Sequence, residues 1–410
     1  MIKRTIESCV RESVKQWPVT LITGARQVGK STLCSILKKD LGYNYVSLDN
    51  TSERKAAISD PAMFLKLHPC PLIIDEVQYA PGLFDEIEHI VNKQKFETGN
   101  NYGMFILTGS QAYNLMAGVT ESLAGRVNIV EMSPLSMSEI FSVEERPFTA
   151  DIDKIVERVK TYKMEPQELY ERIVKGMYPE LYANEVKDTE TFYRNYVETY
   201  LERDVSTLIN IQDKMKFSDF LSVLASLTGQ ELVYETIANA VGVTAKTIKS
   251  WISVLMTGHI IRLIRPFYDT FMVKRITGHP KLYFTDTGLA CHLMGIHDAE
   301  VLSKGIYKGR LVETYIINEI MKSYSNNCAG CNFFYYRDSN KNEIDLIILK
   351  NAKAHLVECK SGVSFDKNDV KAFKHMRSSS YEIAESCIIC NTDIVYPISD
   401  NVFVLPMTSI

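Results

Sequence analysis

Short apolar runs alternate with segments of helical spacing over the first third of the chain. Each run is bounded by polar residues or glycine, which is typical of buried strands between helices. Residues 1–17 have the spacing of an amphipathic helix, and Trp17-Pro18 ends it because the residue before a proline disfavours helical geometry. The pattern predicts an α/β domain with strands at residues 19–23, 45–49, 71–76, 104–107 and 127–132.

Helical spacing dominates the middle of the chain. Residues 150–225 are rich in charged and aromatic residues, which predicts connecting helices with a structural role. A helix-turn-helix pattern follows, with a short helix at 234–240 and a turn at 241–243. Thr244 is predicted to cap a second helix that continues to about residue 256, and 260–265 then has the position of a wing strand.

The last part of the chain contains a predicted β-hairpin. Two strands, 343–349 and 355–360, flank a short turn, and a helix precedes them at 309–321. Residues two apart along a strand share a face, so one face carries four charged side chains. Antiparallel pairing about the turn predicts two facing pairs: Asp345 with Glu358, and Glu343 with Lys360.

Length and composition indicate an ordinary globular protein. A chain of 410 residues exceeds what one core usually serves, so we expect two to four domains. No apolar run approaches the roughly 18–20 residues that span a bilayer, and residues 1–7 lack a signal-peptide core. We therefore expect a cytoplasmic protein that does not interact with membranes.

Nine cysteines are most simply interpreted as reduced thiols. Two pairs, Cys328/Cys331 and Cys387/Cys390, have the two-residue gap of metal ligands. The second pair lies in a predicted strand, where residues three apart point to opposite faces. We therefore do not expect a zinc or iron–sulfur site.

A glycine-bounded loop joins the first predicted strand to a helix. Gly24 and Gly29 permit backbone angles that let successive N–H groups converge on one anion, and the helix N-terminus adds further N–H donors. Lys30 would reach the β- and γ-phosphates, and the Ser31 hydroxyl would complete a magnesium shell. The alternative is a glycine-rich turn without function. The predicted triphosphate-binding residues are Gly24, Ala25, Arg26, Gln27, Val28, Gly29, Lys30, Ser31 and Thr32.

Two acids end the strand at residues 71–76. In a phosphate-binding-loop fold, this strand is predicted to lie next to the first one. Asp75 would then hold magnesium through water, and Glu76 would orient or deprotonate the attacking water. An apolar strand that ends in two carboxylates is also common by itself.

Two further positions are candidates for the same site. Thr108 and Ser110 follow a buried strand and would either sense the γ-phosphate or form a turn. Arg126 directly precedes the strand at 127–132. It would act either as a finger on a neighbouring subunit's nucleotide, which implies a homo-oligomer, or as a salt-bridge partner within its own domain.

These motifs resemble the bacterial and archaeal AAA-superfamily ATPases that join an ATPase domain to a winged helix and a C-terminal domain of unknown function. The resemblance covers nearly the whole chain, and it implies ATP as the nucleotide, Mg²⁺, an AAA-type core and Arg126 as the finger candidate. It rests on Trp17-Pro18 and on the segments 24–32, 73–78, 107–110, 122–126, 200–204, 283–289 and 336–338.

A basic stretch follows the helix-turn-helix pattern. Between Gly242 and Lys281 one acid, Asp269, accompanies seven basic residues, although the formal net charge of the chain is −4. This imbalance predicts a DNA-phosphate contact, and the alternative is a winged helix that packs on the ATPase core. The basic residues are Lys246, Lys249, Arg262, Arg265, Lys274, Arg275 and Lys281.

The acids of the predicted hairpin form a second candidate site. Opposed carboxylates repel unless a cation lies between them, and Glu313 adds a further acid beside the apolar stripe of its helix. The set resembles the PD-(D/E)XK nuclease fold, although Glu343-Ile344 precedes Asp345 where the name has proline. That resemblance implies Asp345 and Glu358 as magnesium ligands and Lys360 above the attacking water.

The alternative keeps this fold without its activity. Lys360 would then bridge Glu343, and Asp345 would be protonated.

Together the patterns predict an α/β protein of four parts. These are a P-loop, AAA-type parallel-sheet domain at 1–148, a helical linker at 149–225, a winged helix at 226–295 and a restriction-endonuclease-like α/β domain at 296–410. We expect an ATPase that couples nucleotide state to DNA. Two alternatives remain: a non-nucleolytic ATP switch that binds a protein partner through its C-terminal half, and a DNA-binding regulator with slow ATP turnover.

Overall fold

The structure of the protein is a computed structural model. The structure describes residues 2–109, 122–159, 164–183, 188–205, 213–268, 278–378 and 380–410. The chain divides into two compact units. The first unit comprises residues 1–135 with 257–259 and 325–328, and the second comprises 136–256, 260–324 and 329–410.

The first unit is an α/β sandwich. Its helices are α1 (Ile6–Gln16), α2 (Lys30–Leu41), α3 (Thr51–Ser59), α4 (Pro61–Leu67) and α5 (Leu83–Thr98). Its strands are β1 (Val19–Thr23), β2 (Asn44–Ser47), β3 (Leu72–Asp75), β4 (Phe105–Thr108) and β5 (Val127–Glu131).

All five strands are parallel and follow the order β2-β3-β4-β1-β5. The predicted parallel sheet is therefore confirmed. The prediction that β3 lies next to β1 is wrong, because β4 pairs with both of them. Apolar strand composition does not specify which strands are neighbours. The carboxyl ends of β1, β3 and β4 consequently lie side by side at one end of the sheet, with β4 in the middle.

The first unit has an apolar core of sheet and helix side chains. Leu21, Ile74 and Leu107 from three strands pack in one cluster with Phe84 and Ile87 of α5, and all five are buried. Strands buried on both faces need continuous apolar runs, which explains why the short runs in the sequence located them.

The second unit begins with helices, which are α6 (Met137–Ile140), α7 (Ile152–Val159), α8 (Pro166–Lys175), α9 (Thr189–Tyr196) and α10 (Lys214–Ser226). A π-helical segment, Val197–Val205, continues from α9. Later helices are α11 (Tyr234–Val241), α12 (Ala245–Thr257), α13 (Thr287–Leu293), α14 (Ala299–Lys304) and α15 (Lys308–Ser325).

A ten-stranded mixed sheet completes the second unit. Its strands are β6 (Gln230–Glu231), β7 (Ile261–Pro266), β8 (Lys281–Phe284), β9 (Asn332–Arg337), β10 (Glu343–Lys350), β11 (Lys353–Cys359), β12 (Glu382–Ile383), β13 (Ser386–Cys390), β14 (Tyr396–Ser399) and β15 (Val402–Pro406). The order is β14-β15-β13-β11-β10-β9-β7-β8-β6, and β12 pairs with β11.

Two local predictions for the second unit are confirmed. The Thr244 hydroxyl accepts a hydrogen bond from the Thr247 N–H at 3.1 Å, as a helix cap does. In the hairpin, Leu346 pairs with Val357 and Lys350 with Lys353, which is the predicted register; the paired residues end one position before Asp345 and Glu358. A two-residue period and a short turn were sufficient to fix that register.

Strand β7 lies between β8 and the C-terminal strands of the second-unit sheet. It pairs with β8 antiparallel, and we call these two strands the wing hairpin. On its other side β7 pairs with β9 in parallel, Arg265 with Phe334. The sheet is therefore continuous from the wing hairpin to β14.

Asp286 connects the helices before and after the wing hairpin. Its carboxylate caps α13 by accepting from the Leu289 N–H at 2.8 Å, and it also accepts from the Met177 N–H and the Tyr193 hydroxyl, each at 2.7 Å. Burial raises the pKa of this carboxyl group. Three donors compensate for the removal of a carboxylate from water.

The expectation of reduced cysteines is wrong in one case. Cys9 and Cys328 form a disulfide within the first unit, with Cα atoms 6.0 Å apart. The sequence could not indicate this pair because 319 residues separate its members. Cys387 and Cys390 are buried thiols in β13. None of the described helices is both long and apolar enough to span a bilayer.

Candidate functional site

The loop after β1 has the backbone geometry that its glycines permit. Gly24 has φ +144°, and a Cβ atom there would lie 2.2 Å from the carbonyl oxygen of Met132. Gly29 has φ +100° and directly precedes α2. The first α2 hydrogen bond runs from the Leu33 N–H to the Gly29 carbonyl, so the N–H groups of residues 30–32 lie outside the helical ladder at its positive end.

The ammonium of Lys30 lies inside this loop. It donates to the carbonyl oxygens of Gly24 at 2.9 Å and Ala25 at 2.8 Å, and the residue is 6% exposed. Burial lowers the pKa of Lys30 to about 8, although the negative charges of Glu76 and Asp75 oppose the shift. The lysine is a desolvated cation close to two carboxylates.

Arg4, which the sequence analysis did not identify, supports the loop from the beginning of the chain. Its guanidinium donates to the Val28 carbonyl and to the Ser133 carbonyl, each at 2.6 Å, and the residue is 7% exposed. It therefore holds the loop against the segment that follows β5. No local motif indicates that this arginine donates to a carbonyl 24 residues further along the chain.

Asp75 is positioned by two hydroxyl groups. The Tyr45 hydroxyl donates to its Oδ2 at 2.9 Å, and the Thr108 hydroxyl donates to its Oδ1. Thr108 also accepts from the Glu76 N–H at 3.1 Å. Thr108 is fully buried, so it orients the Asp75 carboxylate and the Glu76 backbone and is not exposed to solvent in this structure. This contact is possible because β4 lies beside β3.

Glu76 follows the end of β3 in a left-handed conformation, with φ +58°. Its carboxylate accepts a hydrogen bond from the Gln78 side-chain amide. Asp49, shortly after the end of the neighbouring strand, lies close enough that burial and the charges of Glu76 and Asp75 raise its pKa. Three carboxyl groups therefore meet near the loop, and sequence spacing indicated only two of them.

Exposure separates the loop residues into two groups. Gln27, Ser31 and Thr32 are exposed, and Arg26 is half-buried. Ala25 and Val28 are buried beneath them. Ser110, the remaining nucleotide-binding candidate, lies outside the described residues.

Arg126 forms contacts within its own unit. Its guanidinium lies 3.0 Å from the Glu88 carboxylate and donates to the Asn92 side chain at 2.8 Å, both on α5. Arg126 precedes Val127, which pairs with Val19 at the start of β1. The glycine loop follows the carboxyl end of β1. Arg126 therefore lies at the opposite end of the strands from the loop. The salt-bridge alternative is confirmed, and a finger role would require a second copy of the chain.

The second candidate site contains a lysine that the sequence analysis assigned elsewhere. Lys281 of β8 is 1% exposed, and its ammonium lies 2.9 Å from Glu313, 3.6 Å from Asp345 and in contact with Glu343. The Tyr283 hydroxyl also donates to Glu313, at 2.7 Å. The prediction that Lys281 belongs to a DNA-contacting surface is therefore wrong.

We call Glu313, Glu343, Asp345 and Glu358 the acid cluster. Asp345 accepts from the Cys359 N–H at 2.8 Å, and Lys360 donates to Glu358 Oε1 at 2.6 Å. Glu358 is 7% exposed. Its Oε2 atom is buried and has no hydrogen-bond partner in the structure. Burial, with the charge of Asp345, raises the pKa of Glu358, and burial also raises that of Glu313.

This geometry changes the predicted ligand set. The described part of the chain has no group of three or more His, Cys, Asp or Glu side chains arranged to hold a metal. Glu313 is directed to Lys281 and Tyr283, so the structure does not support it as a ligand together with Asp345 and Glu358. The alternative bridge between Lys360 and Glu343 is not formed either, because Lys360 binds Glu358 and Lys281 binds Glu343.

The remaining basic residues of 242–281 differ in exposure. Lys246 and Lys249 on α12 and Arg265 on β7 are exposed, whereas Arg262 is half-buried. Lys274 and Arg275 lie outside the described residues, as does Asp269. The described chain therefore retains part of the predicted basic surface.

The parallel sheet, the glycine loop before α2 and the acid at the end of β3 define a P-loop domain of the AAA type. Residues 16–141 match the family model described as an AAA domain. Residues 166–300 and 308–410 match two domains of unknown function, DUF8612 and DUF4143.

Two curated relatives extend over the whole chain. They are the uncharacterized proteins Rv2008c of Mycobacterium tuberculosis and Mb2031c of Mycobacterium bovis, each 24% identical over 410 residues. The match covers 100% of this chain and 84% of each relative.

Solved structures have a weaker likeness. The Walker-type ATPase PABY2304 of Pyrococcus abyssi has a TM-score of 0.40 at 14% identity, over 70% of this chain and 94% of its own. AMPPCP-bound DnaA from Aquifex aeolicus has a TM-score of 0.28 at 13% identity, over 61% of this chain and 86% of its own.

Gly24→Ala should destabilise the first unit, because its Cβ atom would overlap the Met132 carbonyl. We expect a loss of about 2–4 kcal/mol in the free energy of unfolding. Urea denaturation would measure it, with Trp17 as the fluorescent reporter in a Trp251→Phe background. Gly42→Ala is the control, since Gly42 also has positive φ but no neighbouring atom within 4 Å. Equal losses in the two variants would contradict the close approach at Gly24.

Proposed function

We propose that this protein binds and hydrolyses ATP with Mg²⁺. The observation that carries the proposal is the buried Lys30 ammonium within a loop that opens onto a helix N-terminus, beside the carboxylates that end β3. A triphosphate offers this ammonium stronger acceptors than the neutral carbonyls that it now contacts. The loop amides and the α2 N-terminus supply the remaining positive potential.

The oxygen ligands near the loop suit magnesium. Mg²⁺ takes hydroxyl, carboxylate, phosphate and water oxygens, and Ser31 and Asp75 provide the first two. Tyr45 and Thr108 hold the Asp75 carboxylate in one orientation, which favours a fixed ligand geometry. The bound ion would neutralise charge on the phosphates, and Glu76 would orient the attacking water.

Lys30→Ala should remove ATP binding. Two charge-assisted hydrogen bonds to phosphate are lost, so we expect an affinity at least about 100-fold lower. A fluorescent ATP analogue measures binding, and phosphate release measures turnover. Lys39→Ala, an exposed lysine on the same helix, is the matched control and should behave as the natural protein does. Unchanged ATPase activity in Lys30→Ala would refute the proposal.

We propose further that the exposed basic residues of α12 and β7 bind DNA through its phosphates. The support is the exposure of Lys246 and Lys249 on the second helix of a helix-turn-helix, together with Arg265 on the adjoining strand. The rival role is packing or binding of a protein partner through the same half of the chain, as in an ATP-dependent switch.

Replacing Lys246 and Lys249 together by alanine should flatten the salt dependence of DNA binding. Each phosphate contact contributes a slope of about −0.9, so we expect the log–log slope to fall by about 2. Fluorescence anisotropy with a labelled duplex between about 50 and 200 mM salt measures it. Lys350→Ala with Lys353→Ala, two exposed lysines of the β10–β11 turn, is the control. A wild-type slope would favour the packing role.

A second candidate function is phosphodiester cleavage assisted by a divalent metal at Asp345 and Glu358. The specific observation is the buried Oε2 of Glu358, which has no hydrogen-bond partner, on a carboxyl group close enough to Asp345 that burial and the Asp345 charge raise its pKa. Two carboxylates are a sufficient protein contribution, because Mg²⁺ usually retains several waters and binds substrate phosphate. The ion would supply Lewis acidity and an activated water, and Lys360 would hold Glu358 in position.

Asp345→Asn should abolish any metal-dependent cutting of plasmid or single-stranded DNA, because it removes one of the two anionic ligands. Agarose gels with Mg²⁺ or Mn²⁺, with and without ATP, measure the reaction. Asp393→Asn, an exposed acid in the same unit, is the control. If the natural protein does not cut DNA under any of these conditions, cleavage is excluded and the switch is favoured.

A further inference from the structure

The acid cluster has an internal cation that comes from a different part of the fold. Three of its acids lie on α15 and β10, whereas Lys281 lies on β8 of the wing hairpin. The Lys281 ammonium contacts Glu313 and Glu343 and lies 3.6 Å from Asp345. A buried ammonium is stable only among acceptors, and buried carboxylates are stable only beside a cation. The two groups therefore stabilise each other.

The neighbours of Lys281 show that it is held firmly. Its ammonium lies 5.6 Å from the centroid of the Tyr335 ring, and its backbone pairs with β7 at Ile264 and with β6 at Glu231. Arg337 contributes a second cation, with its Nε 3.7 Å from Glu343. Glu343 would thus keep Arg337 as a positive neighbour if the Lys281 ammonium moved away. Asp345 contacts Lys281 and the neutral Cys359 N–H.

The oxygen without a hydrogen-bond partner belongs to Glu358. The paired residues of the hairpin end at Leu346 and Val357, so Asp345 and Glu358 are the next residues along the two strands, and Oε2 of Glu358 is buried. A divalent cation between Asp345 and Glu358 would satisfy that oxygen, but it would also lie close to the Lys281 ammonium. Two like charges near a single carboxylate repel in a site with little water.

We propose that Lys281 is a built-in competitor of a divalent cation, which binds Asp345 and Glu358 only as the ammonium is displaced with β8. This inference rests on the second candidate function for its metal site, but not on cleavage itself. Because β8 belongs to the wing hairpin, metal affinity and hairpin position are linked, and each changes the other by the same free energy. A ligand that pulls on the hairpin would therefore favour metal binding.

Lys281→Met tests this directly in the full-length protein without nucleotide. Removal of one adjacent positive charge should tighten Mn²⁺ binding at least about tenfold, measured by calorimetry and by the electron paramagnetic resonance signal of free Mn²⁺. Lys322→Met is the matched control, because Lys322 is equally buried and pairs with Glu319 on α15. Its Mn²⁺ affinity should not change, and circular dichroism should show both variants folded.

The same Mn²⁺ titration distinguishes failure of the proposed Lys281 competition from failure of the proposed metal site. If Asp345→Asn weakens Mn²⁺ binding but folded Lys281→Met binds no more tightly than the natural protein, the competitor role is overturned and the metal site stands. If neither the natural protein nor Lys281→Met binds Mn²⁺ with dependence on Asp345, both the site and the inference are overturned.

A second measurement does not require Lys281→Met to fold. Hydrogen–deuterium exchange of residues 281–284 in the natural protein should become severalfold faster when Mn²⁺ is added, because β8 loses its ionic contacts. Asp345→Asn should not respond to Mn²⁺. Exchange that is unchanged or slower in the natural protein, at Mn²⁺ concentrations that saturate the site, would contradict displacement.

Discussion

The cost of removing a charged amine from water is the constraint on which both candidate sites depend. The Lys30 ammonium is compensated by hydrogen bonds to carbonyl oxygens of its own loop. The Lys281 ammonium is compensated by carboxylates from other elements. The difference matters chemically. Neutral carbonyls are weak acceptors, so Lys30 is ready to exchange them for phosphate, whereas Lys281 is held by charges and can be exchanged only for another cation.

Strand order is as important to the first unit as the loop itself. With β4 between β1 and β3, a single threonine at the end of β4 contacts the side chain of Asp75 and the backbone of Glu76. Tyr45 completes the arrangement from β2. Hydroxyl groups on the two strands that flank β3 thus fix the carboxylate of Asp75 and the backbone of Glu76.

Much of this could be predicted where the signal is local. The glycine loop, the Thr244 cap and the register of the β10–β11 hairpin each follow from a few consecutive residues with a fixed period or a fixed turn. The adjacency of β4 to β1 and β3 could not be predicted, since buried parallel strands have similar apolar runs and their order is decided by packing.

Long-range polar contacts were also hidden from the sequence. Arg4 reaches Val28 and Ser133, and Lys281 reaches an acid cluster whose members lie far along the chain on α15 and β10. A lysine among other basic residues has the same local pattern whether it faces solvent or a buried carboxylate. The count of basic residues in the segment therefore overstated its exposed basic surface, because Lys281 is buried.

The parallel pairing of β7 with β9 has a practical consequence for anyone who wishes to study the parts separately. Cutting the chain after the wing hairpin would uncover the backbone edge of β9, which also carries the aromatic residues Phe334 and Tyr335. Such an uncovered edge recruits strands from other molecules, so fragments divided at this point should aggregate. The wing hairpin and the C-terminal strands form one hydrogen-bonded sheet and are best purified together.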